Sequence, residues 1–241
     1  MTERFDDQPV WRSSGVAAGQ AGIDLGLRAH MVRVFMYMAV GLGLTGLVAF
    51  YAASSPSLMM AIFASPLKWV VMLAPIGMVF FLSARIGSMS FSTAQMVFWI
   101  YAGMMGLSLS SIFLVFTGES IARLFFITAS VFGAMSLYGY TTRKDLTSMG
   151  SFLMMGVLGL VVASLVNLFL QSSAMQMMIS TIGVLVFTGL TAYDTQQIKE
   201  SYFEADTADI SGKKAIIGAL QLYLDFINLF ISLLQLFGDR R

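Results

Sequence analysis

The stretch Leu222-Tyr223-Leu224-Asp225-Phe226-Ile227-Asn228-Leu229-Phe230 lies in the middle of an apolar run from Ala215 to Phe237. As a helix, that run would be about 35 Å long, enough to cross a bilayer. An aspartate at the centre of such a span costs roughly 2.5 to 3.5 kcal/mol, so its side chain is expected to face a partner, a water-filled path or a reaction. Gln221, Asp225, Asn228, Ser232 and Gln235 recur at spacings of four and three and form one polar stripe on an otherwise apolar cylinder. A stripe of that kind must be covered, which places the last helix inside a bundle.

The rest of the chain supplies the bundle. Hydrophobic residues make up 57% of the sequence and charged residues 11%, against about 25% charged in ordinary soluble domains. The class is therefore all-α membrane protein. Spanning runs are expected at Met31 to Ala53, Leu67 to Leu82, Ala94 to Phe116, Ile121 to Tyr140, Ser151 to Leu170, Met175 to Tyr193 and Ala215 to Phe237, seven transmembrane helices in all. Pro66 and Pro75 fall in the second run and predict a kinked or tilted helix. The short links make neighbours antiparallel and leave no room for a soluble domain. Residues 1–30 are polar, lack the apolar core of a cleavable secretory signal, and read as a mostly flexible cytoplasmic arm before a membrane domain over residues 31–241. His30 is expected as an interfacial structural residue.

With a cytoplasmic amino terminus, that side receives Arg4, Arg12, Arg28, Arg33, Arg85, Arg143, Lys144, Lys199, Lys213 and Lys214. The other side keeps Lys68, Arg123, Arg240 and Arg241, an imbalance that favours this orientation. The terminal arginine pair argues against the seventh crossing, which would carry it outside. Fourteen basic against thirteen acidic residues give no reason to expect nucleic acid, and the absence of cysteine excludes disulfides, thiolate nucleophiles and cysteine metal sites. The nineteen methionines include Met59-Met60, Met104-Met105, Met154-Met155 and Met177-Met178. Thioethers could pass a soft ion such as Cu(I), but irregular packing is the ordinary use of methionine. Gly41, Gly43, Gly46, Gly156 and Gly159 are expected to let helices approach closely.

A second acid, Asp194, closes the sixth run in Thr191-Ala192-Tyr193-Asp194-Thr195. In an antiparallel hairpin, Asp194 and Asp225 are level if the turn is centred between Asp209 and Ile210 and the sixth helix continues to about Glu204. Thr181, Thr188, Thr191 and Thr195 form a weaker polar line beside Asp194, and Asn167 and Ser164 of the fifth run could also meet the stripe. Two carboxylates held together in a poorly hydrated place cannot both stay ionised cheaply, so they would share a proton and titrate as a pair. Such a pair can act as a pH switch, and its oxygens suit transient contact with Ca²⁺. The plainer alternatives are an interfacial acid near Lys199 for Asp194 and an interhelical hydrogen bond for Asp225.

The run from Ala219 to Phe230, with Tyr193-Asp194 and Gln197-Ile198-Lys199, resembles the Bax inhibitor-1 family in its bacterial branch, and the apolar layout matches over roughly Arg28 to Phe237. The resemblance implies seven helices with the last wrapped by the other six, and a pH-sensitive calcium leak in the bacterial cytoplasmic (inner) membrane. It implies that Asp194 and Asp225 form the sensor, and that an arginine near the end of the second helix, here Arg85, latches onto the pair when the pore is closed. Gln221, Asn228, Asn167 and Thr191 are the supporting polar positions. The chain ends at Gly238-Asp239-Arg240-Arg241 without the longer charged tail of animal relatives, so tail-based gating does not carry over.

On this reading the protein is not an enzyme and needs no cofactor, Ca²⁺ being cargo. Its partners are membrane lipid, Ca²⁺, H⁺ and other membrane proteins. Three rivals remain. An intramembrane aspartyl protease would use the same two acids, although its Gly-x-Gly-Asp context is missing around Asp225. An interaction protein would restrain membrane proteases or cell-death factors. A proton-coupled cation exchanger would require an opposing proton gradient.

Overall fold

The computed structural model describes residues 13–241, with side chains described from residue 25 onward. Among the described residues the chain forms α1 (Ser13–Ala53), α2 (Pro56–Phe63), α3 (Leu67–Arg85), α4 (Phe91–Leu109), α5 (Ile112–Val115), α6 (Gly118–Thr141), α7 (Thr147–Leu170), α8 (Ser173–Glu200) and α9 (Ala208–Phe237). Seven of these segments are long and apolar enough to span a membrane. Polar side chains finish the helix ends: Ser90, Thr117, Ser172 and Thr207 accept the N–H of the third residue onward at the starts of α4, α6, α8 and α9. Caps of this kind contribute about 1 kcal/mol each.

Burial identifies the centre. In α9, 72% of the apolar window is covered by protein, against 11–33% in the other spans. Its direct neighbours are α1, α4, α6 and α8, while α3 packs mainly on α4 and α7 mainly on α8. The large side chains Tyr101, Phe98, Tyr223, Phe226 and Leu229 fill the interior. Outward, residues such as Phe80, Phe126, Leu158 and Phe169 form the lipid-facing belt.

The bundle has two ends. At the first lie the start of the spanning part of α1 and the α3–α4, α6–α7 and α8–α9 links. Asp209 accepts from the Phe91 N–H (2.8 Å), and Lys213 donates to the Met89 carbonyl (3.3 Å). At the second end, the carboxyl-terminal residues are fastened to the α5–α6 link. The Thr117 N–H donates to the Asp239 carbonyl and the Arg241 N–H to the Val115 carbonyl, both at 3.0 Å. Phe116 and Arg240 pair as an isolated antiparallel bridge, and Arg123 meets Asp239 at 2.9 Å. The seventh run therefore does traverse the bundle, and Arg240-Arg241 sits at the end opposite Lys144 and Lys213.

Several expectations change. Residues 13–30, read as part of a flexible arm, belong to α1; residues 1–12 lie outside the described residues. Pro66 stands at the start of α3 and Pro75 inside it, the positions from which a kink or tilt is expected. The sixth span stops at Glu200 rather than Glu204, because residues 208–212 join α9 and leave the turn at 201–207. Of the glycines expected at close approaches, Gly41 faces Phe98 and Gly156 faces Val186, but Gly43, Gly46 and Gly159 border open space. Tighter approaches occur at Gly139, where a Cβ would run into the Ala192 carbonyl, and at Gly183, where it would lie 2.6 Å from the Ser232 hydroxyl. Met154, Met155, Met177 and Met178 are all exposed on the outer surface of α7 and α8.

Candidate functional site: a carboxylate pair on the central seam

α8 and α9 pack along most of their length, with Gly218 against Ile198 and Gly183 against Ser232. From the first contact, Asp194 is four residues down α8 and Asp225 seven down α9. Asp225 therefore lies about 5 Å deeper, not level. The turn is centred earlier than the polar loop suggests, which produces this offset. The two carboxyls still come close enough across the seam to interact. Asp225 is buried and Asp194 half-buried.

Among the described residues no donor serves the Asp225 Oδ2 atom, although it is sealed from solvent. The nearby polar side chains are occupied elsewhere: Thr191 and Thr195 donate to the carbonyls of Phe187 and Thr191, and Asn228 to that of Leu224 (2.8 Å). A buried acceptor without a donor is costly. A proton on one of the two carboxyls is the donor this geometry lacks.

Toward the first end, the pair is overlain by ordered polar contacts. Gln196 donates to the Lys144 carbonyl and accepts from the Leu146 N–H, both at 2.8 Å, and Lys199 donates to the Tyr140 carbonyl at 2.9 Å. His30 is buried against the Tyr202 ring with neither nitrogen hydrogen-bonded. Toward the second end, a cavity of about 520 Å³ opens between α7, α8 and α9 and includes Ser164, Asn228, Ser232 and Gln235 in its lining. Asn228 is one turn from Asp225, so this mainly apolar space, with a few polar side chains in its wall, ends close to the pair.

The other sequence-selected positions fall apart from it. Gln221 is exposed. Asn167 sits at the α7–α8 turn, accepting from the Ser172 N–H (3.0 Å) and donating to Gln176 (3.2 Å). Arg85, in the last turn of α3, is exposed and forms no ion pair among the described residues, so it does not touch the carboxylates. Two arrangements escape the sequence reading. Gln176 bonds Gln235, which also accepts from Ser180 (2.8 Å), closing the cavity toward the second end. The spacing of Gln176 and Ser180 on one apolar helix face signals this contact. On the opposite side of α9, the Tyr223 hydroxyl lies 2.7 Å from that of Thr45, whose own proton goes to the Ala102 carbonyl (2.9 Å).

Among known proteins, the chain is 50% identical over 218 residues to the uncharacterized protein RP147 of Rickettsia prowazekii, covering 90% of this chain and 92% of that one. It is 49% identical over 233 residues to the inner membrane protein YbhL of Escherichia coli (95% and 98% covered). It is 34% identical over 224 residues to the uncharacterized membrane protein SpyM3_0260 of Streptococcus pyogenes (89% and 94%). The family model described as inhibitor of apoptosis-promoting Bax1 matches residues 27–241. With its seven spans and buried last helix, the chain belongs to this Bax inhibitor family.

Proposed function

We infer that this protein is a passive, pH-gated cation leak of the bacterial inner membrane, with Ca²⁺ as its physiological cargo, and not an enzyme. The observation that carries the reading is the buried Asp225 oxygen without a donor among the described residues, next to Asp194 and one turn from the cavity that Asn228 lines. A shared proton satisfies both carboxyls and holds the α8–α9 seam shut. Loss of that proton leaves two like charges in a poorly hydrated seam, which drives it apart and exposes oxygens suited to a hard cation. Among the described residues, no group of three or more His, Asp or Glu could hold a metal ion. Two carboxylates supply fewer ligands than the six to eight oxygens Ca²⁺ takes, which suits passage rather than storage.

The name of YbhL supports the inner-membrane assignment. The gathering of Arg28, Arg143, Lys144, Lys199 and Lys213 at the first end supports a cytoplasmic amino terminus. The closed seam has no counter-charge from Arg85 and relies on the proton alone.

The test is calcium entry into liposomes containing the pure protein, measured from pH 6 to 8. The parent is expected to conduct more as pH rises, and Asp225→Ala to leak with a blunted pH response. A variant curve that overlays the parent removes the sensor assignment. No flux at any pH favours an interaction protein, and flux only against an opposing proton gradient favours an exchanger.

A further inference from the structure

α1 and α6 each rest on α9 and leave between them a slot of about 530 Å³ at the first end of the bundle. Arg28 and Tyr140 stand at its mouth, Met38 and Phe132 at its floor. From Arg28 to Met38 is ten residues, about 15 Å, or half the hydrocarbon thickness of a bilayer. The slot thus has the depth of one leaflet, and its walls below the mouth are apolar except for Ser136.

Two observations give it a chemical preference. The mouth is cationic: Arg28 is exposed there, and Lys199 lies 5.8 Å over the Tyr140 ring while donating to the Tyr140 carbonyl. One turn deeper, Ser136 lines the slot, is only 5% exposed, and its hydroxyl has no partner among the described residues. Other hydroxyls of the same helix bond the carbonyl one turn back, as Thr128 does to Leu124 and Thr141 to Leu137, both at 2.7 Å. An unpaired buried donor of this kind costs about 1 to 3 kcal/mol unless a ligand supplies an acceptor.

We propose that the α1–α6 slot is a binding site for one anionic phospholipid, its acyl chain lying between Met38 and Phe132, an ester carbonyl accepting from Ser136, and its phosphate held by Arg28. Basic residues at a membrane surface attract anionic headgroups, and a hydroxyl about 6 Å below the mouth sits at the depth of the glycerol esters. The site stands independently of any ion flux.

Gly133 provides a clean probe, because it lines the slot and a Cβ there has nothing within 4 Å. Native mass spectrometry of the full chain, with phosphatidylglycerol or phosphatidylcholine added, reads retention directly. The parent is expected to retain phosphatidylglycerol at least fivefold better. Gly133→Leu should lower retention of both lipids at least tenfold, whereas Arg28→Gln should abolish only the preference. Equal retention of the two lipids by the parent, or undiminished phosphatidylglycerol on folded Gly133→Leu, overturns the proposal. Should Gly133→Leu fail to fold, Arg28→Gln at its exposed position decides: an unchanged preference refutes the site.

Discussion

Asp225 was legible as a single residue because its cost in a spanning helix demands an explanation, and Asp194 because it lies near the turn of the same hairpin. Tyr223 was not legible: a tyrosine tip has many acceptable partners, and nothing in the sequence points from it to Thr45. The Thr45 proton is committed to Ala102, so the Tyr223 hydroxyl donates to Thr45. Tyr223→Phe should then lower stability by about 0.6 to 1.5 kcal/mol, whereas Thr45→Val strands a buried hydroxyl and should cost about 1 to 3 kcal/mol. Thermal unfolding in detergent compares them, and equal losses would show that the pair is not organised this way. Asp145 offers a control on pH. Hydrogen bonds from Thr147 hold its carboxyl below the usual carboxylate range, so any stability it adds is lost only as pH falls through that depressed value. Asp145→Asn should leave the liposome pH curve between 6 and 8 unchanged.

At the scale of the helix, apolar length and turn chemistry revealed all seven spans, with larger displacements of the edges at the start of α1 and on both sides of the α8–α9 turn. The displacements have causes. The starts of α8 and α9 are capped by Ser172 and Thr207, residues that an apolar count leaves in the loops. Helix contacts were less readable, since a glycine in a spanning run has the same spelling whether it meets a carbonyl or lipid. Gly139→Ala presses on the Ala192 backbone, which cannot rotate away, and should destabilise by about 1 to 3 kcal/mol or more. Gly159→Ala meets nothing within 4 Å and should be neutral or stabilising by up to about 1 kcal/mol through helix propensity. Thermal melts of the two variants should move in different directions; a matched loss would contradict the packing at Gly139.

For the whole molecule, the central position of α9 could be inferred from its covered stripe, but which helices cover it could not, because antiparallel order alone leaves several bundle arrangements open. The absence of cysteine makes sidedness directly testable. Lys144 is exposed at the first end and Ser173 at the second. In intact cells, a membrane-impermeant thiol reagent should label Ser173→Cys, and should reach Lys144→Cys only after lysis; the opposite pattern inverts the orientation.

The central helix is pinned at one extremity through Asp209 and Lys213 to the α3–α4 link, and at the other through Asp239 and Arg241 to the segment before α6. Anchors at both poles oppose a piston stroke along the bundle axis, which would break hydrogen bonds at both ends. Rotation about its own axis strains these anchors least, and on the proposed function that is the motion that would carry the Asp225 carboxylate off α8.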